Sequence, residues 1–535
     1  MNIFSDLRKA ECKNAPTTLF VVAALLLSCS HGNAEQVSLP DAVVLLEVTP
    51  ASHPFLAADH QQRPLALADY GYVEEEYLVR GSARVFDWPS GSGHTVLAQG
   101  PYTTRILVRR PEDDSDFSGI AIVESFNPSS PVDLPIMWAE SYLQFMPDGH
   151  AWVGITIKPN TIKSLQRFDP ARYAMLAMPH PPAGPTCPDA GINPWSQPTT
   201  PADETGLAWD MLSQIGALLK SASADNPLSR PAERLFMTGQ SQTAGYSRTY
   251  AAFFGAGTTE ADGTPLYDAY LYSGSPPWQA PIHQCAAGFA AGDPRLITPA
   301  VGVPVIELFA EGDIGTNIAT RRPDADQAPD LFRRYEVPGA SHVDPWEQLS
   351  FPDDQDMVRA SGQANAIAET NCAPKDVEVS DFPIRYVFNA AWRNLERWVT
   401  EGIPAPKAGR LELLEPDFVN PGLVKEDVPF SPAEAFAKDA GGNAIGGVRT
   451  PYVEVPMARW VGAKQSDDPA APGFGCFFEG YKISFNHEKL RELYPSHADY
   501  VEKVTRSARA LEAQGWLTAT DSAQIIAEAE AKEVP

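Results

Sequence analysis

The sequence predicts an α/β protein whose central sheet is mostly parallel and carries helices on both faces. Short apolar runs bounded by turn residues alternate with amphipathic segments, which is the pattern of strand–helix–strand units. The clearest unit is an apolar run that stops at Gly239, after which Ser241 and small residues lead into a helix-compatible segment, 246–254. A strand, a tight turn and a helix in this order are typical of a parallel sheet.

Candidate strands precede and follow this turn. Before it, apolar runs at 77–86, 102–109, 119–125 and 151–157 are separated by clusters of Pro, Gly and Asp. After it, three further runs are each bounded by turn residues, at 267–273, 303–310 and 331–337. These runs supply the remaining strands of the predicted sheet.

Two apolar stripes at helical spacing predict the principal helices. One lies directly before the strand that stops at Gly239, and the other ends at Gly402, a residue suited to a left-handed C-terminal cap. The stripes consist of Leu207, Met211, Ile215, Leu218 and Leu219, and of Ile384, Val387, Ala391, Leu395 and Trp398. Their regular spacing indicates packing in the core.

Residues 35–535 are predicted to form a single domain with two insertions. The segment 159–202 is rich in proline and is predicted to be irregular, and 275–302 is the second insertion. Structureless segments of this length in a compact domain usually form a lid or a wall of a binding site. We therefore expect both insertions to border a substrate site.

A C-terminal extension, 403–535, is predicted to pack on this domain. Residues 431–434 read Ser-Pro-Ala-Glu, a capping box with proline at the first helical position. A glycine-rich loop follows at 441–448, and two helices at 498–514 and 519–532 end the chain. No linker in this region is long enough to separate an independent domain.

The charge and the N-terminus restrict the partners and the location. Lys and Arg number 41 against 68 Asp and Glu, a formal net charge of −27 that argues against nucleic acid as a partner. Basic residues precede a short apolar run, 19–27, which is typical of a signal peptide. Residues 1–34 would be removed by cleavage after Ala34, giving a periplasmic or secreted protein without an integral membrane span.

Two alternatives to soluble export remain open. The residues before Cys29 resemble a bacterial lipobox, in which case Cys29 would carry a lipid and anchor the protein in the outer membrane. The apolar run could also act as a single N-terminal membrane anchor.

Four cysteines remain in the exported chain. They are Cys187, Cys285, Cys372 and Cys476, and none forms a C-x-x-C pair. In an exported protein such cysteines are more often joined in disulfides than bound to metal. Four cysteines allow three pairings, and the sequence does not choose among them; free buried thiols are the alternative if the chain is not exported.

Ser241 is the candidate catalytic nucleophile. The Gly239-x-Ser241 motif between a strand and a helix is typical of a nucleophile elbow, which exposes a serine hydroxyl above the sheet. Thr243 occupies the position where the usual pattern has a second glycine, and its small side chain is compatible with the crowded turn. The alternative is an ordinary serine in a strand-to-helix loop.

The candidate base and acid follow Ser241 in the order expected for an α/β-hydrolase. His342 comes just after the strand at 331–337, where a parallel sheet presents side chains at its carboxyl edge. Asp313 and Glu311 both come at the end of the strand at 303–310. We choose Asp313 as the acid, with Glu311 in reserve, because the order Ser, acid, His matches this fold.

An oxyanion hole needs two donors directed at the developing negative charge. The backbone N–H of Gln242, the residue after the nucleophile, is the first candidate. The second should lie in the loop after the strand at 119–125, where the backbone N–H of Phe126 or Asn127 is the candidate. Asn127 could alternatively serve only to start a turn before Pro128.

These residues resemble a family of uncharacterised α/β-hydrolase domain proteins from bacteria and fungi whose nucleophile motif reads G-x-S-Q-[ST]. The resemblance covers nearly all of the mature chain and is carried by the following segments: Gly239–Thr243, Asn127–Pro128, Glu311–Asp313, the loop at His342, Gly446–Pro451, Gly515-Trp-Leu and Asp521-Ser-Ala. It implies an α/β-hydrolase fold and carboxylic-ester chemistry, and little about the substrate. In that family the missing second glycine is a regular trait.

The sequence thus predicts an exported serine esterase that needs no metal or organic cofactor and acts on a small-molecule or polymeric ester. Ser241 would attack the ester carbonyl, His342 would transfer the proton, and Asp313 would orient the imidazole. The alternative is a catalytically silent protein of the same fold that holds a ligand with insertion residues such as Tyr173 and Trp195.

Overall fold

The computed structural model describes residues 37–534 apart from 90–93, 188–199, 229, 256, 261, 291, 365–371, 416–434, 467–475 and 477. The strands are β1 (Ala42–Leu45), β2 (Tyr72–Phe86), β3 (Val96–Pro111), β4 (Ile120–Ser125), β5 (Ala151–Ile155), β6 (Arg234–Gln240), β7 (Ala269–Ser273), β8 (Val305–Ala310), β9 (Ala325–Gln327), β10 (Asp330–Val337), β11 (Cys372–Ala373), β12 (Glu378–Val379), β13 (Ala458–Val461), β14 (Gln465–Ser466) and β15 (Tyr481–Ser484). The helices are α1 (Ile136–Phe145), α2 (Pro159–Phe168), α3 (Leu207–Lys220), α4 (Gln242–Tyr250), α5 (Glu311–Asn317), α6 (Pro345–Gln348), α7 (Asp354–Ser361), α8 (Arg385–Thr400), α9 (Pro451–Glu454), α10 (His487–Leu493), α11 (His497–Ala513) and α12 (Ala519–Ala531).

A ten-stranded sheet organises the chain, with strand order β1-β2-β3-β5-β4-β6-β7-β8-β10-β9. Strands β4 to β8 and β10 pair with one another in parallel, whereas β1, β2 and β3 form an antiparallel end and β9 an antiparallel edge. This confirms the predicted mostly parallel sheet. The parallel register brings the carboxyl ends of β6, β8 and β10 to the same edge of the sheet.

Burial explains why the central strands are mostly apolar and do not alternate between apolar and polar residues. Every residue of β4, β5, β7 and β8 is buried, because helices cover both faces of the sheet. Helix α1 packs with α8, and α3 packs near α4 through Trp209 and Tyr246, whose rings stack at 4.9 Å. The two predicted apolar stripes are buried in α3 and α8, with Ile384 at the N-cap of α8. Gly402 adopts the predicted left-handed conformation after α8.

The first insertion differs from its prediction. Residues Pro159–Phe168, predicted to be irregular, form α2. Proline stands in the first turn of this helix, where its missing N–H costs nothing, and Ile162, Leu165 and Phe168 recur at three-residue spacing on its buried side. The proline content of the later part of the segment masked this helical start.

Two aromatic residues of the insertion were candidates for ligand contacts. Tyr173 does not fit that role, because its side chain is fully buried. Its hydroxyl donates to Glu76 at 2.8 Å and accepts the Phe55 N–H at 2.9 Å. Trp195, the candidate signal segment 1–34 with Cys29, and the capping box at 431–434 lie outside the described residues.

Two disulfides join distant parts of the chain. Cys187 pairs with Cys285, which links the two predicted insertions, and Cys372 pairs with Cys476 in the C-terminal half. This selects one of the three possible pairings. Among the described residues, no helix is long and apolar enough to cross a bilayer.

The C-terminal extension carries its own small apolar cluster beside the main core. Helices α10, α11 and α12 pack around Tyr494, Tyr500, Val504 and Ile525. Helices α11 and α12 begin and end within one residue of their predicted bounds. Residues Glu35–Pro535 form one compact unit.

A buried ionic network fastens the antiparallel end of the sheet. The fully buried guanidinium of Arg105 on β3 donates to Glu76 on β2 at 2.7 Å and to Asp133 at 3.0 Å. Arg172 donates to the other oxygen of Glu76 at 2.5 Å. The network therefore connects β2, β3, the loop before α1 and the segment after α2.

We expect Arg105→Met to destabilise the protein by about 3–5 kcal/mol, because it leaves two buried carboxylates without their shared cation. Denaturant or thermal unfolding measures the loss. Arg506→Met is the matched control, since Arg506 and its partner Glu502 are both exposed and should change stability by no more than about 0.5 kcal/mol. Equal effects of the two substitutions would contradict the assigned role of Arg105.

Candidate active site

Ser241 occupies a strained position at the junction of β6 and α4. Its backbone has φ 56° and ψ −121°, a region that non-glycine residues rarely adopt. Its N–H donates to the Ser273 carbonyl at 2.9 Å, which holds the turn against the end of β7. Gly239 is required beside it, because a Cβ there would lie 2.5 Å from the Thr243 carbonyl oxygen.

Thr243 has a specific function in this turn. Its buried hydroxyl donates to the Gln240 carbonyl at 3.0 Å and accepts the Gln240 N–H at 3.3 Å. These two bonds brace the backbone on either side of Ser241. The next glycine, Gly245, lies against Pro276, and a Cβ there would be 3.1 Å from the proline ring.

His342 and Asp313 lie in direct contact at the carboxyl edge of the sheet. His342 Nδ1 is 2.5 Å from Asp313 Oδ1, and both side chains are buried. The other carboxylate oxygen of Asp313 accepts the Ala310 N–H at 2.9 Å, which fixes the carboxylate at the start of α5. Asp313 is thus held at the end of β8, and His342 reaches it from the loop after β10.

Gly274, which follows β7, permits this pair to form. It has φ 58°, and a Cβ on it would lie 3.0 Å from His342 Cε1 and 3.2 Å from Asp313 Oδ2. A larger residue would push against both partners at once. No local sequence pattern distinguishes Gly274, because only the sheet brings it next to residues that lie far along the chain.

Glu311, the reserve acid, binds backbone amides instead. Its carboxylate accepts the Gly339 N–H at 2.8 Å and the Gly462 N–H at 3.2 Å. Burial raises the pKa of the Glu311 carboxyl, and these two amides partly counteract the rise. Glu311 therefore connects the C-terminal extension with the loop that carries His342.

The amides of Phe126 and Asn127, the predicted second oxyanion donors, are already engaged. The Phe126 N–H donates to Ile155 at 3.0 Å, and the Asn127 N–H donates to Leu134 at 2.9 Å. Neither is available for an oxyanion in this conformation, which corrects that expectation. Gln242 begins α4, as expected for a donor at a helix N-terminus.

The Asn127 side chain connects the elbow to its neighbours. Its amide Nδ2 donates to the Gln240 carbonyl at 3.0 Å and to Gln240 Oε1 at 3.1 Å. The Gln240 amide Nε2 in turn donates to the His342 carbonyl at 3.1 Å and lies 3.3 Å from His342 Nε2. Gln240, which sequence analysis missed, links the loop after β4, the elbow and the histidine loop.

Lys158, also missed, lies at the end of the buried run that contains β5. Its side chain is 2% exposed, and its Nζ donates to the Gln242 side-chain oxygen at 3.0 Å. Burial lowers the pKa of the Lys158 ammonium to about 7. The sequence signal was a lone lysine directly after an apolar run, which is too common to indicate a site.

The C-terminal extension covers the histidine loop. The Val343 N–H donates to the Phe478 carbonyl at 2.9 Å, and the Phe478 ring lies 5.2 Å from the His342 ring. Phe478 lies two residues from Cys476 of the second disulfide. The extension is therefore part of the wall around His342.

A group of buried carboxylates lies behind this loop. Oxygens of Glu140, Asp344 and Glu347 lie within 4.8 Å of one another. One oxygen of Asp344 accepts the N–H groups of Trp346 and Glu347 at the start of α6. Burial raises the pKa values of all three carboxyls, and the nearby charge of Asp344 raises those of Glu140 and Glu347 further, so the group favours bound protons.

We expect Lys158→Met to stabilise the protein at pH 7, by about 1–4 kcal/mol, because the buried ammonium is disfavoured by desolvation. Between the folded pKa of about 7 and the unfolded pKa the unfolded chain binds more protons, so wild-type stability rises with pH. The advantage of the variant should therefore shrink as the pH rises from 7 to 10. Denaturant unfolding at several pH values measures it, and a difference independent of pH would contradict the lowered pKa.

Comparison with solved structures finds proteins with low sequence identity. A dienelactone hydrolase from Anabaena variabilis is 16% identical over 49% of this chain and 88% of its own, with a TM-score of 0.26. An α/β serine hydrolase from Xanthomonas campestris is 11% identical over 49% and 84%, with a TM-score of 0.23. An esterase from Pyrobaculum calidifontis is 10% identical over 48% and 74%, with a TM-score of 0.24.

Comparison with curated protein sequences finds no match. A family model described as an alpha/beta hydrolase domain matches residues 37–527, which is most of the chain and includes the sheet, the elbow and the histidine loop. The chain therefore belongs to the alpha/beta hydrolase domain family.

Proposed function

We propose that the protein is an exported serine hydrolase that cleaves carboxylic esters through Ser241, His342 and Asp313. The observation that carries the proposal is the 2.5 Å contact between His342 Nδ1 and Asp313 Oδ1, at the sheet edge where β6 ends in the strained Ser241. An imidazole whose Nδ1 faces a carboxylate presents its Nε2 as a base.

In the proposed mechanism, Ser241 attacks the ester carbonyl while His342 accepts its proton at Nε2. His342 then returns a proton to the leaving alcohol, and Asp313 stabilises the imidazolium that forms in between. Water then attacks the acyl-enzyme while His342 accepts its proton at Nε2. His342 returns that proton to the Ser241 oxygen as the carboxylic acid leaves. Each step moves only protons and an acyl group, so the reaction needs no metal or organic cofactor.

One oxyanion donor is proposed, the backbone N–H of Gln242. It lies at the N-terminus of α4, where the helix dipole also favours negative charge. The elbow geometry supports this role, since the residue after the nucleophile donates in enzymes with this turn. The amides of Phe126 and Asn127 are left out because they bind other carbonyls.

Two further parts of the proposal concern location and substrate. The disulfides Cys187–Cys285 and Cys372–Cys476 support an oxidising location outside the cytoplasm, as expected of an exported chain. The contact of Gly245 with Pro276 supports a role for the insertion 275–302 beside the substrate, because it puts that segment against the elbow helix.

We expect Ser241→Ala to abolish hydrolysis of short p-nitrophenyl esters by purified protein, because the nucleophile is lost while the fold is kept. Ser115→Ala, in the exposed turn after β3, is the control and should retain activity. Circular dichroism and melting temperature check the fold of both. Activity that survives in Ser241→Ala would rule out the assignment.

A fluorophosphonate probe separates this proposal from a silent ligand-binding protein of the same fold. The probe reacts only with an activated serine and should label the wild type but not Ser241→Ala. Failure to label folded wild-type protein would favour the binding protein.

We expect Asp313→Asn to lower kcat by about 10³–10⁴-fold and Glu311→Gln to retain most of the activity of folded protein. The physical reason is that Asp313 contacts the imidazole, whereas Glu311 binds backbone amides. Steady-state kinetics at saturating ester compares the variants. The reverse order of losses would move the acid to Glu311.

A further inference from the structure

A chain of two side-chain amides runs from the loop after β4 to the ring of His342. Its members are Asn127, in that loop, and Gln240, the last residue of β6. Both side chains are buried, as is His342, so their polar atoms have to find partners inside the protein. An amide donates from its nitrogen and accepts at its oxygen. The direction of the chain therefore depends on which end of each amide faces which neighbour.

The backbone N–H of Ser129 sets this direction at the first end. It donates to Asn127 Oδ1 at 2.9 Å, so the nitrogen of the Asn127 amide is the end that faces β6. Asn127 Nδ2 donates to the Gln240 carbonyl at 3.0 Å and to Gln240 Oε1 at 3.1 Å. A carbonyl can only accept, which agrees with this orientation. Gln240 therefore presents its oxygen to Asn127 and its nitrogen to His342.

The His342 carbonyl sets the same direction from the other end. Gln240 Nε2 donates to it at 3.1 Å, and the opposite orientation of the amide would put two oxygens face to face. The same nitrogen lies 3.3 Å from His342 Nε2. Because Gln240 Nε2 can only donate, His342 Nε2 accepts in this contact and carries no proton. The proton of the base form is then on Nδ1, which lies 2.5 Å from Asp313 Oδ1.

We propose that Gln240 is a positioning residue that holds His342 in the tautomer a general base needs, with the proton on Nδ1 and a free lone pair on Nε2. The inference rests on the proposed function, because it assigns this role within acyl transfer by Ser241 and His342. Asp313 holds the ring from Nδ1, and Gln240 holds it from Nε2. Gln240 directly precedes Ser241, so the strand that carries the nucleophile also orients the base.

The contact to His342 Nε2 can be released during the reaction. Its length of 3.3 Å exceeds the usual value of about 2.9–3.0 Å for an N–H hydrogen bond, so it is weak. When Ser241 attacks the ester, its hydroxyl proton moves to His342 Nε2, and one N–H of Gln240 leaves that position. The other N–H keeps its bond to the His342 carbonyl. The loop thus stays in place until the proton passes to the leaving alcohol.

Nitrogen NMR of the protein with isotope-labelled histidine tests the tautomer directly, at a pH high enough for the imidazole to be in its base form. The His342 signals are assigned by their absence from His342→Ala. The wild type should show a protonated Nδ1 and an unprotonated Nε2, and the Nε2 signal should move in Gln240→Met because its hydrogen bond is lost. A proton on Nε2 in the wild type would overturn the proposal. So would an Nε2 signal that Gln240→Met leaves in place.

Kinetics of the same variant test the role in catalysis, because methionine keeps the length of the side chain and removes both N–H donors. We expect Gln240→Met to lower kcat for short p-nitrophenyl esters about 10-fold and to change KM less than about 2-fold, since the base and not substrate binding is affected. Gln214→Met is the matched control. Gln214 is also buried and donates to the Ser82 carbonyl at 2.9 Å, but it lies in α3, outside the candidate site. It should keep both kinetic constants and the His342 spectrum, and a wild-type kcat in Gln240→Met would contradict the proposal.

This inference and the proposed function can fail separately. The wild-type spectrum needs neither a substitution of Gln240 nor turnover, so it decides the tautomer even if Gln240→Met does not fold. Wild-type protein that a fluorophosphonate does not label fails as a serine hydrolase, whichever nitrogen carries the proton. Labelled protein with a proton on His342 Nε2 keeps the proposed function and loses only the role of Gln240.

Discussion

The positive φ of Ser241 is the constraint on which the rest of the site depends. A serine in this conformation is stable only if its neighbours hold it there, and each neighbour satisfies a specific requirement. Gly239 leaves room for the returning helix, the Thr243 hydroxyl binds the backbone of Gln240, and the Ser273 carbonyl accepts the Ser241 N–H. The turn is thus braced from its own strand, from its helix and from β7.

The histidine side of the site is supported from more distant parts of the chain. Gly274 gives the space in which His342 and Asp313 meet, and Glu311 fastens the histidine loop to the C-terminal extension through Gly462. The extension returns through Phe478 to lie against His342. The extension therefore forms part of the wall around His342.

Local sequence signals predicted much of the sheet and the candidate nucleophile, but they could not separate neighbouring polar groups. Asp313 and Glu311 stand two residues apart at one strand end, and only the turn into α5 decides which carboxylate faces His342. No sequence pattern shows whether the backbone amides of Phe126 and Asn127 can bind an oxyanion. That depends on the fold, in which they donate to the carbonyls of Ile155 and Leu134. The start of α2 was obscured by the prolines that follow it.

The sequence by itself determined the α/β class, the central strands β2 to β8 and β10, the helices α3 and α8 and the small-residue turn around Ser241. These follow from apolar periodicity and from the small residues that a tight turn needs, and both are properties of adjacent residues. The tertiary structure alone decided that Gln240 contacts the histidine loop, that Lys158 is buried beside Gln242 and that the extension covers His342. Those contacts join residues far apart in the chain, so their energies depend on packing and burial that no local pattern records.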